Sequence, residues 1–190
     1  MNLIIKRPQL PDIDVVLPNE IAGLTYAGEV DYAKMHGMSS EAMDVGFKYK
    51  LADIAKADIF VYAYTDENAN HPTNAAELIS HYFNCVNEVL RSDGNYRSYV
   101  RLISQQLLQV QDHQYLTSWF VLQDDPDDDP LHSLMALTVV GGYFLKIRYS
   151  SRLTDPNIAA SQDGLDDKMM VFLTELTSHL GKSDHDKAGL

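Results

Sequence analysis

The stretch from Leu134 to Tyr149 constrains this chain more than any other part of it. Leu134 to Val140 is apolar, Gly141-Gly142 follows, and Tyr143 to Tyr149 alternates apolar and polar residues. A tight hairpin turn needs positive φ at its centre, which glycine adopts without steric cost. The pair therefore commits the chain to at least one antiparallel ladder. In its second strand Tyr143, Leu145, Ile147 and Tyr149 share the inward face, leaving Lys146 and Arg148 together on the opposite one.

Other strands read around this hairpin. Over Asp44 to Lys50, Val45, Phe47 and Tyr49 alternate with Gly46, Lys48 and Lys50, the pattern of a half-buried strand. Leu51 to Lys56 connects it to Asp58–Tyr64. There Ile59, Val61 and Ala63 point one way while Phe60, Tyr62 and Tyr64 point the other, as in an interior strand covered on both sides. Tyr99 to Val110 admits helix or strand. A strand is preferred, with a turn at Gln111 to Gln114 and a second strand over Tyr115 to Gln123, rich in β-branched and aromatic residues. Met1 to Leu17 reads as an irregular lead-in broken by prolines, with Ile13 to Leu17 a candidate edge strand. Met35 to Met43 reads as a loop or one short turn.

Two segments carry helical periodicity. Asn74 and Glu77 form a capping pair after Pro72, and Ala75, Leu78, Ile79, Tyr82, Phe83, Val86, Val89 and Leu90 make one apolar stripe. Ser92-Asp93-Gly94 ends that helix. A closing helix runs from about Ser161 to Leu180, with Leu165, Met169, Phe172, Leu173, Leu176 and Leu180 as its stripe and Gly181 in the C-terminal cap position. Consecutive strands on short turns give an α+β fold: an antiparallel sheet of about six or seven strands with two amphipathic helices packed on it. The expected organisation is a single α+β domain over 1–181 with a polar tail over 182–190.

Charge narrows the function. Lys and Arg number 15 against 27 Asp and Glu, a net charge of −12. A field of that sign repels phosphate backbones and anionic headgroups, which argues against nucleic acid, and it attracts a basic partner. The same balance also serves solubility alone. Cys85 is the single cysteine, so no bridge forms within the chain, which fits a reducing compartment and a cytoplasmic location. Lys6, Arg7 and Pro8 interrupt the apolar patch Leu3 to Ile5, so the start does not read as a secretory leader. No membrane span is expected.

The candidate site residues follow from charge and strand parity. Asp124, Asp125, Asp127, Asp128 and Asp129 form an acidic run stiffened by Pro126 and Pro130. It lacks the glycine and distant glutamate of a calcium-binding EF-hand loop, and is expected to be a solvated hairpin loop that contacts a basic partner if it acts. Lys146 and Arg148, with Lys48 and Lys50, would make a basic stripe if their strands were neighbours. The histidines His36, His71, His81, His113, His132, His179 and His185 show no HExxH or zinc-knuckle spacing. Cys85 sits inside a helix rather than at its N-terminus, where a packed role is expected over nucleophilic chemistry. No phosphate loop, GxGxxG or GxSxG elbow occurs, so no cofactor is expected.

The hairpin over Leu137 to Arg152 (LTVVGGYFLKIRYSSR), with DVGFKYK and DIFVYAYT before it, resembles a pattern in small uncharacterised bacterial α+β proteins. The hairpins with two helices also resemble the PsbP-like arrangement, which includes secretion-associated chaperones and adaptor domains. That resemblance implies a non-catalytic binding role and transfers no site residue. The expectation is thus a bacterial protein-binding module, an adaptor, secretion chaperone or toxin-neutralising protein, of open oligomeric state. The alternatives are a small hydrolase whose site pairs a distant histidine and carboxylate, and a small-ligand-binding domain with an apolar cavity between sheet and helix.

Overall fold

The computed structural model describes residues 2–5, 15–35, 44–62, 75–91, 99–152 and 167–180. Asn2–Ile5 (β1) and Val15–Pro18 (β2) pair as a separate antiparallel ladder. Glu20–Ile21 (β3) and Leu24–Asp31 (β4) lead to a single helical turn, Tyr32–Met35 (α1). Asp44–Leu51 (β5) and Ala55–Tyr62 (β6) follow, then the helix Ala75–Arg91 (α2). Tyr99–Val110 (β7), His113–Gln123 (β8), Leu131–Val140 (β9) and Tyr143–Arg152 (β10) precede the closing helix Asp167–Thr177 (α3).

The main sheet has eight strands in the order β3-β4-β5-β6-β10-β9-β8-β7, each pair antiparallel. The fold is α+β with an antiparallel sheet, as expected, but it holds more than six or seven strands and a third, short helix. The unanticipated strands β3 and β4 explain the difference. Their hairpin turns at Ala22 (φ 50) and Gly23 (φ 80), and a bulge between Tyr26 and Gly28 breaks the period-two pattern that marks a strand in sequence. The expected edge strand near Ile13 is realised as β2, paired with β1.

Gly141 (φ 56) and Gly142 (φ 79) turn the β9–β10 hairpin in the left-handed region, as their sequence requires. Tyr99–Val110 is a strand, and the turn after it is confined to Gln111 and Asp112. The turn between β5 and β6 takes only Ala52 to Ile54, so both strands extend further into the connection than the sequence suggested. The closing helix ends at Thr177 rather than Leu180, its last residues 178–180 forming a turn. The helix cap at Asn74, the stop at Ser92-Asp93-Gly94, the start of the closing helix through Leu165, Gly181 and the tail lie outside the described residues.

The two long helices take opposite faces. On one face α3 buries Met169, Phe172, Leu173 and Leu176 against Phe47, Tyr49, Ile59, Ile147 and Tyr149. This helix touches both outer strands, β3 and β7, so the sheet curls around it. Hydrogen bonds hold both margins. Ala22 N–H donates to Glu175 Oε2 at 2.8 Å, and the Tyr115 hydroxyl lies 2.9 Å from Thr177 Oγ1. On the other face α2 buries Leu78, Tyr82, Cys85, Val86 and Val89 against Phe120, Leu122, Met135, Leu137, Val139 and Phe144. Ile79 and Phe83, counted in its apolar stripe, are instead exposed, Phe83 by 50 %.

Candidate functional site

Strand parity places Lys48, Lys50, Lys146 and Arg148 on the face that carries α2. That helix lies mainly over β7, β8 and β9, with His81 and Cys85 also reaching Tyr62 of β6 and His81 reaching Phe144 of β10. The β5, β6 and β10 portion carries a series of cross-strand rows. Asp44, Tyr62 and Phe144 form the first row, and Gly46, Phe60 and Lys146 the second. Lys48, Asp58 and Arg148 form the third, Lys50, Lys56 and Ser150 the fourth. Directly opposed side chains in such rows lie within contact reach.

These rows decide the condition set on the basic stripe and correct the reading of β6 as covered on both sides. The strands of Lys48 and Lys146 are not neighbours, because β6 lies between them and inserts Asp58 between Lys48 and Arg148. The basic stripe is therefore interrupted by a carboxylate. Strand β6 is interior, but only one face is fully buried; Asp58, Phe60 and Tyr62 on the other are half-buried. Lys146 lies over two rings, its Nζ 4.9 Å from the Phe60 centroid and 5.4 Å from that of Tyr62, a cation–π arrangement. Gly46 is required here by close approach: a Cβ at this position would stand 2.8 Å from Cε2 of Tyr32. Tyr32 of α1 thus packs over Gly46, with its ring 5.9 Å from that of Phe60.

The acidic run joins β8 to β9 as an exposed loop of defined shape. The Gln123 side-chain amide donates to Pro126 O at 3.0 Å and to Asp128 O at 2.7 Å. Asp128 N–H donates to Asp125 O, and Asp127 N–H to Asp125 Oδ1, each at 3.0 Å. Between this loop and the β5–β6 turn opens a cleft of 310 Å³. Lys50, Lys56 and Arg152 face Asp124, Asp128 and Asp129 across it. Arg152 spans the gap: its Nη1 lies 3.8 Å from Asp129 Oδ2, and its Nε donates to Asp53 O at 3.0 Å. The acidic loop and Lys146/Arg148 therefore share one sheet face but not one site. From Lys146 to Arg152 the strand advances roughly 20 Å at about 3.3 Å per residue.

A third group was not anticipated. His81 and Cys85 stand one helical turn apart on α2 and meet Tyr62 of β6. Tyr62 Oη is 2.6 Å from His81 Nε2, and Cys85 Sγ is 3.6 Å from the same nitrogen and 4.0 Å from Tyr62 Oη. The His81 ring stacks on Phe144 with centroids 4.4 Å apart. Burial, reinforced by the Lys146 charge, lowers the His81 pKa to about 4, so the imidazole is neutral at pH 7. Burial raises the pKa of the Cys85 thiol, and the opposing pull of Lys146 does not reverse it. Tyr62 is raised strongly, first by burial and then by Cys85. The i, i+4 spacing of His81 and Cys85 is legible in the sequence, but nothing there names Tyr62 as their partner.

Among the described residues no group of three or more His, Cys, Asp or Glu is arranged to hold a metal. No described helix is long and apolar enough to cross a membrane. His36, His71 and His185 lie outside the described residues.

The fold and these surfaces define an α+β sheet protein with helices on both faces. No family model and no curated protein matches the chain. Among solved structures it is similar to the Ran-binding protein Mog1p of Saccharomyces cerevisiae, at 11% identity and a TM-score of 0.47, over 99% of this chain and 98% of that one. It is also similar to a point mutant of protein Mog1, at 12% identity and a TM-score of 0.48, over 98% and 97% of the two chains.

Proposed function

We propose that this chain is a non-catalytic protein-binding module, an adaptor, secretion chaperone or toxin-neutralising protein of a bacterial cytoplasm. Its contact element is the acidic loop beside the cleft. The observation that carries the reading is that loop: five aspartates exposed on a backbone pinned by Gln123. A preformed loop loses little entropy on binding, and its carboxylates act as fixed point charges toward a basic partner. A net charge of −12 adds long-range steering of the same sign. Ile54 is exposed on the turn that lines the cleft, so an apolar anchor sits next to the charged rim. The non-catalytic role also agrees with what the PsbP-like resemblance implies.

The direct test is affinity capture from lysate of the source organism at low and then high salt. A stoichiometric basic protein that releases with salt supports the reading. Capture that is indifferent to salt, or a chain that carries only a small molecule, contradicts it.

A catalytic reading has one observation in its favour, the meeting of His81, Tyr62 and Cys85. The chemistry runs against it. A nucleophilic cysteine is the thiolate, and here burial favours the thiol. Native protein is expected to leave Cys85 unlabelled by iodoacetamide on a timescale at which unfolded protein reacts fully. Rapid native labelling would restore the catalytic reading.

A further inference from the structure

The two margins of the main sheet are built differently. At one end β3 is only two residues long and the neighbouring β4 carries a bulge. Both devices stop another strand from adding there. At the other end β7 runs for twelve residues, with no described strand on its outer side. Its first third is guarded: Arg101 is charged, and a bulge between Leu102 and Ser104 bends the strand. From Ser104 to Val110 the sequence SQQLLQV has no charge, proline or glycine. Leu107, in the middle of that stretch, is 58 % exposed.

We propose that Ser104 to Val110 pairs edge to edge with the same segment of a second copy of this chain, in antiparallel register about a two-fold axis at Leu107. The register is self-complementary. Leu107 meets Leu107 across the axis, Gln105 meets Gln109, Gln106 meets Leu108, and Ser104 meets Val110. The axis pairs a leucine that each copy leaves exposed, while Gln105 and Gln109 donate within their own chain, to Tyr82 Oη and Gln111 O, and bring no charge to the seam. Charge selects this edge for self-association. In a chain of net charge −12, two copies repel through most approaches, and an uncharged strand brings no like charges into register. The blunted opposite margin makes the pairing a closed dimer, because an isologous contact uses each β7 once and leaves no second long edge among the described strands.

Sedimentation velocity on the full chain tests this. The wild type is expected to dimerise, and more tightly at high salt, because screening relieves the repulsion between acidic copies. Leu107→Lys places two ammonium groups opposite each other and should weaken the dimer about tenfold or more. The residue is exposed, so circular dichroism should show the fold retained. Leu107→Cys should give a symmetric disulfide dimer under mild oxidation, whereas Val171→Cys, at a 54 % exposed position on α3, should cross-link far more slowly. A monomer at every concentration overturns the proposal. So does a dimer that Leu107→Lys leaves intact, or equal cross-linking by both cysteine variants.

Discussion

The two faces of the main sheet are constructed on different principles. Under α3 the contact is apolar and closed: Phe172 lies between Tyr49 and Tyr149, with ring centroids 6.5 and 5.2 Å away, and all three are fully buried. Under α2 the contact includes polar groups that must find partners. Tyr82 donates its hydroxyl to Thr117 O at 2.7 Å and accepts from Gln105 Nε2 at 3.0 Å, while Tyr62, His81 and Cys85 meet one another. Beyond α2 the same face carries half-buried charges in alternating rows and ends at the acidic loop. One face stabilises the fold through dense packing, and the other keeps chemistry near the surface.

The largest effect that would test this contrast belongs to the α3 face. Phe172→Ala should lower the unfolding free energy by about 3–5 kcal/mol in a denaturant titration, since little around it can collapse into the cavity. A loss no greater than that of an exposed substitution would contradict a closed face. On the α2 face, Gly46→Ala should cost about 1–3 kcal/mol, because the added methyl meets Tyr32. A neutral result would mean that α1 gives way freely.

Acid should act through the α2 face as well. His81 has a folded pKa of about 4, below the ordinary imidazole value of 6.5. Between those values the unfolded chain binds a proton that the folded chain refuses. Stability from this group is therefore complete above about pH 6.5 and falls as pH drops toward 4, by something of the order of 2 kcal/mol. His81→Phe should flatten that slope in pH-dependent denaturation; an unchanged slope would assign acid sensitivity elsewhere. The smallest effect is expected at the cleft. Asp129→Asn removes an ion pair whose side chains are 54 % and 76 % exposed, and should change stability by no more than about 0.5 kcal/mol.

The sequence makes the α3 face more legible than the other. Alternation in Asp44–Leu51 and Tyr143–Arg152, and the stripe of Met169, Phe172, Leu173 and Leu176, are direct consequences of burial on one side. The acidic loop was equally plain, since a run of aspartates with two prolines has few other places to go. What escaped reading was long-range. The β3–β4 hairpin is hidden by its bulge, and Asp58 between Lys48 and Arg148 depends on strand order. The meeting of Tyr62 with His81 depends on where α2 lands on the sheet. Ile79 and Phe83 fit the helical period yet face outward, because a stripe wider than the contact leaves its margin in water.

The measurement that tests the central claim most directly compares the wild type with a variant carrying asparagine at Asp124, Asp125, Asp127, Asp128 and Asp129. Its melting temperature and the salt dependence of its partner association would be followed together. The account predicts an unchanged melt, with association slowed and its salt dependence reduced. Association at the wild-type rate with the same salt dependence would contradict it and move recognition away from the acidic loop.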